Sequence, residues 1–421
     1  MAKRILDRFL SSGVRKGTLE VRRPDGSVAR FGQPAEGYPD VAIRLASDKA
    51  ERRILLDPRL GAAEAFMDGQ LEVEEGDIML LIELLRANRP WDRGGEVREM
   101  SRFKKLRARI ATRLDGINQA ARAKSNVAHH YDVGNDLYRL FLDAEHMQYS
   151  CAYWPRPDMT LEQAQEAKLA HIAAKLALAP GQRVLDIGCG WGGMAIYLAR
   201  HADVRVHGIT LSEEQLALAR ERAAAAGVAD RIDFELVDYR DLAASGARYD
   251  RIVSVGMFEH VGQAQFDRFF ADCARLLEDD GVMLLHTIGR MGGPGATDAF
   301  TRKYIFPGGY IPALSETVAA SERSRLIASD VETLRLHYAL TLREWYKRCV
   351  GNLDKIVALH DERFYRMWIF YLAGATAAFE SGSMCNYQIQ YTRLRRTLPL
   401  ARDYMGEAER KLLGSPGTAQ R

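Results

Sequence analysis

From about residue 180 onward, apolar runs and helical patterns alternate regularly. The segments RVLDIG, VRVHGITL, RIDFELVD, DRIVSVG and GVMLLHTI read as strands buried on both faces, and EEQLALARERAAAA and FDRFFADCARLL read as helices between them. Strand, helix, strand at this spacing predicts an α/β fold, a parallel sheet with helices on both faces and a ligand crevice at the carboxyl ends of the strands. Residues 1–90 have a different texture. Short alternating runs around a Pro-Asp-Gly turn (LEVRRPDGSVARFG) mix with short helical patterns, which predicts a small α+β domain. Residues 91–124 open on the breaker WDRGG and continue with Phe103, Leu106, Ile110 and Leu114 at helical spacing, a basic linker helix. Residues 125–405 form the third block, mostly helical after about 330, and 406–421 form a C-terminal tail whose polar end, GSPGTAQR, is expected to fray.

Composition narrows the class without changing this picture. The 421 residues are 47% hydrophobic and 27% charged, the proportions of a soluble globular protein rather than a disordered or collagen-like chain. Five cysteines, none in a CxxC pair, argue against a disulfide framework and a zinc site and fit a reducing compartment. The longest nearly apolar run, Met367 to Phe379, has 13 residues, short of the roughly 18 that a membrane span needs. The N-terminus, MAKRILDRFL, lacks the apolar core of a secretory signal. These features lead to the expectation of a cytoplasmic protein. Net charge is only +3, low for a nucleic-acid-binding protein. It is unevenly spread: between Glu96 and Lys124 nine Arg/Lys face three Asp/Glu, a local excess of +6. Such a segment is either a solvated helix packed on its own protein or a surface for anionic headgroups or nucleic acid.

The richest chemical signal is VLDIGCGWGGMAIYLA, where Gly188, Gly190 and Gly193 fit G-x-G-x-x-G between a strand and a helix start. Lacking Cβ, they let a ligand approach the backbone, and the helix N-terminus offers free N–H groups. NAD enzymes and S-adenosylmethionine methyltransferases both use this turn. An NAD site wants a carboxylate at the end of the second strand, and here that strand ends in Gly208-Ile209-Thr210. Asp186, two residues before the first glycine, gives the Asp-x-Gly-x-Gly form of a Rossmann-like class I methyltransferase. Asp238, ending the third strand, is placed to receive an adenine amino group.

Several stretches together resemble the cyclopropane fatty acid synthase and mycolic acid methyltransferase family. They are HHYDVGNDLYRLFLD, MQYSCAYW, MTLEQAQEAKL, VLDIGCGWGG, GITLSEEQ, RIVSVGMFEHVG, LLHTIG and YIFPGGYIP, in family order from about residue 125 to 315, with a looser match to about 400. The N-terminal domain is similar to that of the longer bacterial synthases acting on membrane phospholipids. The resemblance implies transfer of the sulfonium methyl of S-adenosylmethionine to a cis double bond of an unsaturated phospholipid acyl chain. A bound bicarbonate then takes a proton as the ring closes. An alkene is a poor nucleophile, so such an enzyme must align it with the methyl carbon and exclude water.

Carried over position by position, the resemblance makes Glu259 the acceptor of the bicarbonate hydroxyl, His286 and Tyr338 donors, and the backbone N–H of Cys151 the remaining contact. It puts Tyr131, Tyr149 and Ser150 on the amino-acid part of the donor, with Gly188 and Gly190 against it. Thr210 and Gln215 take the ribose, Asp238, Tyr239 and Arg240 the adenine side, and His260 lines the pocket. No metal is implied. The aromatic loop Tyr304 to Tyr310 is expected to shape the acyl channel. The implied location is the inner face of the membrane, with peripheral association, and family members are often dimers. One departure is Ala375, where the family often has a cysteine; Cys385, ten residues on, does not obviously substitute. The alternative outcome is a methyl or methylene branch without ring closure.

Overall fold

A computed structural model describes residues 2–95 and 134–414; the basic segment 96–124 and Tyr131 lie outside the described residues. The chain divides into two compact units, and their boundaries do not follow sequence texture. One comprises residues 1–105, 297–307 and 339–384, the other 106–296, 308–338 and 385–421.

In the first unit, strands β1 (Gly17–Arg22), β2 (Val28–Gln33), β3 (Asp40–Leu45) and β4 (Leu71–Glu75) form a sheet in the order β2-β1-β3-β4. The β1–β2 hairpin closes at the Pro-Asp-Gly turn, and the β1–β3 pair is parallel. Helices Ala2–Gly13, Asp48–Leu56, Leu60–Met67 and Ile78–Ala87 complete the α+β arrangement that the sequence predicts. The helix Glu362–Glu380 packs on Leu60–Met67 and Ile78–Ala87. The expected boundary at residue 90, with 125–405 as one block, is corrected accordingly: buried Trp368, Ile369, Leu372 and Ala373 need an apolar partner, and the N-terminal helices supply one. This helix contains the apolar run Met367–Phe379. No helix among the described residues is long and apolar enough to cross a membrane.

The second unit is built on a seven-stranded sheet in the order β10-β11-β9-β8-β5-β6-β7. Its strands are β5 (Arg183–Ile187), β6 (Arg205–Thr210), β7 (Ile232–Leu236), β8 (Tyr249–Val255), β9 (Leu277–Arg290), β10 (Ile327–Leu334) and β11 (Met384–Thr392). Strands β5 to β9 are the five predicted from their apolar runs, and their described pairings are parallel. Val184, Leu185, Ile252, Val253, Met283 and Leu284 are each fully buried between helical layers. The order reverses at β5, which puts the glycine turn after β5 at the switch point.

The region after 330 is mostly helical, as expected, but it also supplies β10 and β11, which pair antiparallel at one end of the sheet. Asn386, Gln388 and Gln390 alternate with Cys385, Tyr387 and Ile389, and both sets are buried. The second set joins the hydrophobic core and the first meets buried polar partners. Asp403–Gly414 is a helix packed on Leu161–Lys175, and the residues after 414 lie outside the described residues.

Candidate active site

The loop after β5 makes a tight turn. Gly188, Gly190 and Gly192 all have positive φ (79°, 54° and 76°), and the helix Gly193–His201 starts immediately after. The amides of Gly188 and Cys189 both donate to Ile209 O on β6. A Cβ on Gly193 would lie 2.2 Å from His146 O, whereas one on Gly190 meets nothing within 4 Å. Gly193 therefore serves close packing, and Gly190 faces empty space.

That space is a cleft of about 1200 Å³, partly open to solvent. Tyr149, Ser150, Gly188, Gly190, Thr210, Gln215, Asp238, Tyr239, Arg240 and His260 all line it, so every described residue the sequence assigned to the donor converges on one place. Thr210 donates to Gln215 (Oγ1 to Oε1, 2.9 Å). The Asp238 carboxylate is gripped by its own neighbour Arg240 (Nε 2.8 Å, Nη2 2.5 Å) and caps the amide of residue 240. Its engagement with Arg240 leaves it among the residues that line the cleft. Burial raises the Asp238 carboxyl's pKa, but the Arg240 hydrogen bonds outweigh it and the net shift is downward.

Asp186 is the residue that sequence reasoning used as a motif marker but did not place in the site. It lines the cleft, is 1% exposed, and its Oδ2 has no hydrogen-bond partner. Burial pushes its pKa up to about 7, against the pull of the Lys168 ammonium. Lys168, fully buried on the helix Leu161–Lys175, donates to Ser150 Oγ (2.9 Å) and Gln148 Oε1, while Gln165 Nε2 holds Ser150 O at 3.0 Å. The helix thereby fixes the segment 148–150 along the cleft. Trp191 donates to Asn135 Oδ1 (2.8 Å) and packs on Tyr138, which meets Tyr149 edge-on at 5.1 Å. Gln165 and Lys168 were visible only as polar residues in MTLEQAQEAKL, and their partners lie 15 to 20 residues away.

The four residues assigned to the base do not line this cleft. Glu259 sits on the short turn Phe258–His260 beyond β8, between cleft-lining Met257 and His260. Its Oε1 accepts from Ile288 N on β9 (2.5 Å), while Oε2 is buried with no partner. Burial pushes its pKa up to about 6, only partly offset by the Ile288 amide, its own amide and the Thr287 hydroxyl. His286 lies two residues before Ile288, and its carbonyl accepts from Gly256 N (2.9 Å). Its ring is fully buried, with Nε2 3.2 Å from Asn386 Nδ2 and Nδ1 3.2 Å from Gln388 Nε2. Burial, with the Lys168 and Lys175 cations, holds its pKa well below the usual range, so the ring is neutral. Cys151 follows cleft-lining Ser150. Its thiol donates to Ala152 O (3.3 Å), and burial pushes its pKa far up, which leaves no thiolate nucleophile. Tyr338 is buried four residues after the end of β10, whose Leu334 pairs with Asn386.

The aromatic loop behaves differently from one unit to the other. Tyr304 OH donates to Glu64 Oε1 (2.8 Å) in the first unit. Tyr310, in the second, donates to Glu316 (2.8 Å), and its amide bonds Glu259 O (2.9 Å).

The family model for mycolic acid cyclopropane synthetase matches residues 118–389. The chain belongs to this family. Members are S-adenosylmethionine-dependent methyltransferases, and so is this protein. It is 39% identical over 366 residues to the cyclopropane-fatty-acyl-phospholipid synthase of Escherichia coli (strain K12), a match covering 87% of this chain and 91% of the relative. It is also 39% identical over 290 residues to a tuberculostearic acid methyltransferase of Mycobacterium tuberculosis (strain ATCC 25618 / H37Rv), covering 66% of each chain. Among solved structures, mycolic acid cyclopropane synthase CmaA1 complexed with SAH and CTAB is similar at 35% identity and TM-score 0.60. That match covers 64% of this chain and 97% of the other. The cleft fits the donor such a methyltransferase needs. The unpartnered Asp186 oxygen suits a cationic amino-acid part, and the space over Gly190 admits close approach to the backbone.

Proposed function

We propose that this methyltransferase adds the methyl carbon of S-adenosylmethionine to a cis double bond of an unsaturated phospholipid acyl chain, giving a cyclopropane. The observation that carries this reading is Glu259: a buried carboxylate with one oxygen unpartnered, next in the chain to cleft-lining His260, its other oxygen bonded to the amide of Ile288, two residues beyond a neutral histidine on β9. A carboxylate held there is an acceptor waiting for a donor. Bicarbonate suits that place and would supply a base for the proton lost as the ring closes. Glu259 would accept its hydroxyl hydrogen, and His286, Tyr338 and the Cys151 amide would donate to it. The donor cleft brings an electrophilic methyl carbon. Asp186, Ser150 and the glycine turn hold its amino-acid end, with Tyr131 assigned there by resemblance. Thr210 and Gln215 take the ribose, and Asp238, Tyr239 and Arg240 the adenine side.

A second reading, a methyl or methylene branch without a ring, is supported by the equal identity to a tuberculostearic acid methyltransferase and by Ala375, which stands on the helix Glu362–Glu380. Cys385 stands on β11 instead. The test is direct. Enzyme, S-adenosylmethionine, bicarbonate and vesicles of cis-unsaturated phospholipid are incubated, and the fatty acids are analysed by mass spectrometry. A product heavier by CH₂ that resists hydrogenation is the cyclopropane. A product heavier by CH₂ that takes up hydrogen gives the methylene reading, and one heavier by CH₄ gives the methyl reading, which needs a hydride donor such as a reduced nicotinamide or flavin added to the incubation. No mass gain refutes both.

Such a substrate places the protein at the inner membrane face as a peripheral protein. The segment 96–124 supports this by its charge, and the helix Ala2–Gly13 by its exposed face of Arg4, Ile5, Arg8 and Phe9. Binding to anionic phosphatidylglycerol vesicles is expected to weaken several-fold between 50 and 300 mM salt, because exposed charges are screened over roughly 10 Å at 0.1 M. Sedimentation with vesicles measures it, and salt-insensitive binding would exclude an electrostatic contact.

A further inference from the structure

The polar face of β11 is buried against His286, and nothing in the reaction described so far uses it. Lys175 Nζ, which can only donate, contacts Gln388 Oε1 at 2.8 Å. This fixes the orientation of the Gln388 amide: its oxygen faces the lysine, so its NH₂ faces His286 Nδ1 at 3.2 Å. A donor pointed at Nδ1 requires a lone pair there. In a neutral ring the proton must then sit on Nε2. Asn386 fits the same arrangement. Its amide lies 3.2 Å from Nε2, its Oδ1 is buried without a partner, and turning the amide over lets Oδ1 accept the Nε2 hydrogen while no bicarbonate is there to take it.

Lys175 is itself anchored. It pairs with Glu332, whose Oε2 also meets His171 Nε2 at 2.7 Å, and His171 Nδ1 meets Glu409 Oε2 at 2.9 Å. Gln390 Nε2 bonds the Lys175 carbonyl and Tyr404 OH (2.8 Å), which holds the end of the helix Leu161–Lys175 to β11. An unbroken chain of polar contacts thus runs from Glu409, on the C-terminal helix, to His286.

We infer that Gln388, oriented by Lys175, is a positioning residue that holds His286 in the tautomer protonated on Nε2, the form able to donate a hydrogen bond from that nitrogen. The inference rests on the proposed function only for its use of that hydrogen; the tautomer itself follows from the contacts above. A leucine or methionine at 388 would fill the space equally well but would leave Nδ1 without a partner and Lys175 with Glu332 alone.

The experiment labels the histidines with ¹⁵N, assigns His286 by loss of its signals in His286→Gln, and reads the protonation of both ring nitrogens by two-bond ¹H–¹⁵N correlation. The expected wild-type pattern is a bare Nδ1 and a protonated Nε2. Gln388→Glu, whose carboxylate pairs with Lys175 and accepts from Nδ1, is expected to put a proton on Nδ1. Methyl transfer to lipid should then fall roughly 10–100-fold, the range for loss of a supporting contact to a functional side chain, with S-adenosylhomocysteine affinity unchanged. Lys175→Arg should keep the wild-type tautomer and Lys175→Met should not; this pair replaces Gln388→Glu if that variant fails to fold. A wild-type Nδ1–H, or a tautomer unmoved by these substitutions, overturns the inference. So does turnover that falls together with donor affinity, the mark of general structural damage. The tautomer is read without lipid, so absence of lipid product would sink the proposed function and leave this result standing on its own.

Discussion

Glu259→Gln is expected to abolish lipid methylation almost completely and, at neutral pH, to make the protein more stable. Both effects follow from one buried carboxyl group. An amide keeps the size of the side chain and can still accept from Ile288 N through its oxygen. What it loses is the charged acceptor on the other side, where Oε2 now has no partner. A general-base apparatus without its orienting acceptor loses on the order of 10²–10⁴ in rate. S-adenosylhomocysteine should bind as before, because Glu259 does not line the donor cleft.

The stability effect has a definite sign. Burial raises the folded-state pKa of Glu259 from 4.5 to about 6, so folding favours the protonated form. Its favourable contribution is complete below about 4.5 and is lost as pH rises through about 6. At pH 7 the wild type therefore carries an ionised group whose burial costs on the order of 2 kcal/mol, which the glutamine variant avoids. Thermal melts should show the variant higher by a few degrees at pH 7, with the gap closing towards pH 4.5. Wild-type activity should rise with pH through about 6, as the carboxyl loses its proton and becomes an acceptor. A variant that retains activity, or that melts lower at pH 7, would show that Glu259 is an ordinary buried structural acid.

Where the sequence was readable, the physics was local. Strands β5 to β9 announce themselves because parallel strands covered on both faces are continuous apolar runs, and the turn after β5 needs glycines wherever it takes positive φ. The donor cleft was readable for the same reason: its residues stand at strand ends and in the loops that follow. Strand β11 was hidden because its alternation of Asn386, Gln388 and Gln390 with Cys385, Tyr387 and Ile389 suggests a half-exposed strand or a helix face. In the fold both faces are buried. Only His286 and Lys175, about 100 and 213 residues away in the chain, explain why amides belong inside. The same holds for the helix Leu161–Lys175, where Gln165, Lys168, His171 and Lys175 are all buried and blur any amphipathic stripe. The division of the chain was hidden too, since the helix Glu362–Glu380 finds its apolar partners some 300 residues back.

Gly190→Leu should remove donor binding while leaving the fold largely intact, and the contrast with Gly193→Ala isolates the reason. A residue at 190 must adopt φ near 54°, which costs a side-chain-bearing residue roughly 1–2 kcal/mol. Beyond that strain the protein offers no resistance, since nothing lies within 4 Å of the new Cβ. The leucine extends instead into the cleft over the turn, the volume a ligand must occupy to reach the backbone amides. Losing that approach is expected to weaken S-adenosylhomocysteine at least 100-fold by calorimetric titration, about 2.7 kcal/mol, with a melting temperature only a few degrees below wild type. At Gly193 the added methyl meets His146 O at 2.2 Å and Gln148 Nε2 at 2.3 Å, so segment 146–148 must move. The expected result there is a much larger fall in melting temperature, of the order that overpacking produces, with weaker binding as a consequence rather than a separate effect. If Gly190→Leu keeps full donor affinity, the cleft above β5 is not where the donor lies. If Gly190→Leu instead melts as low as Gly193→Ala, the space above the turn serves the fold rather than the ligand.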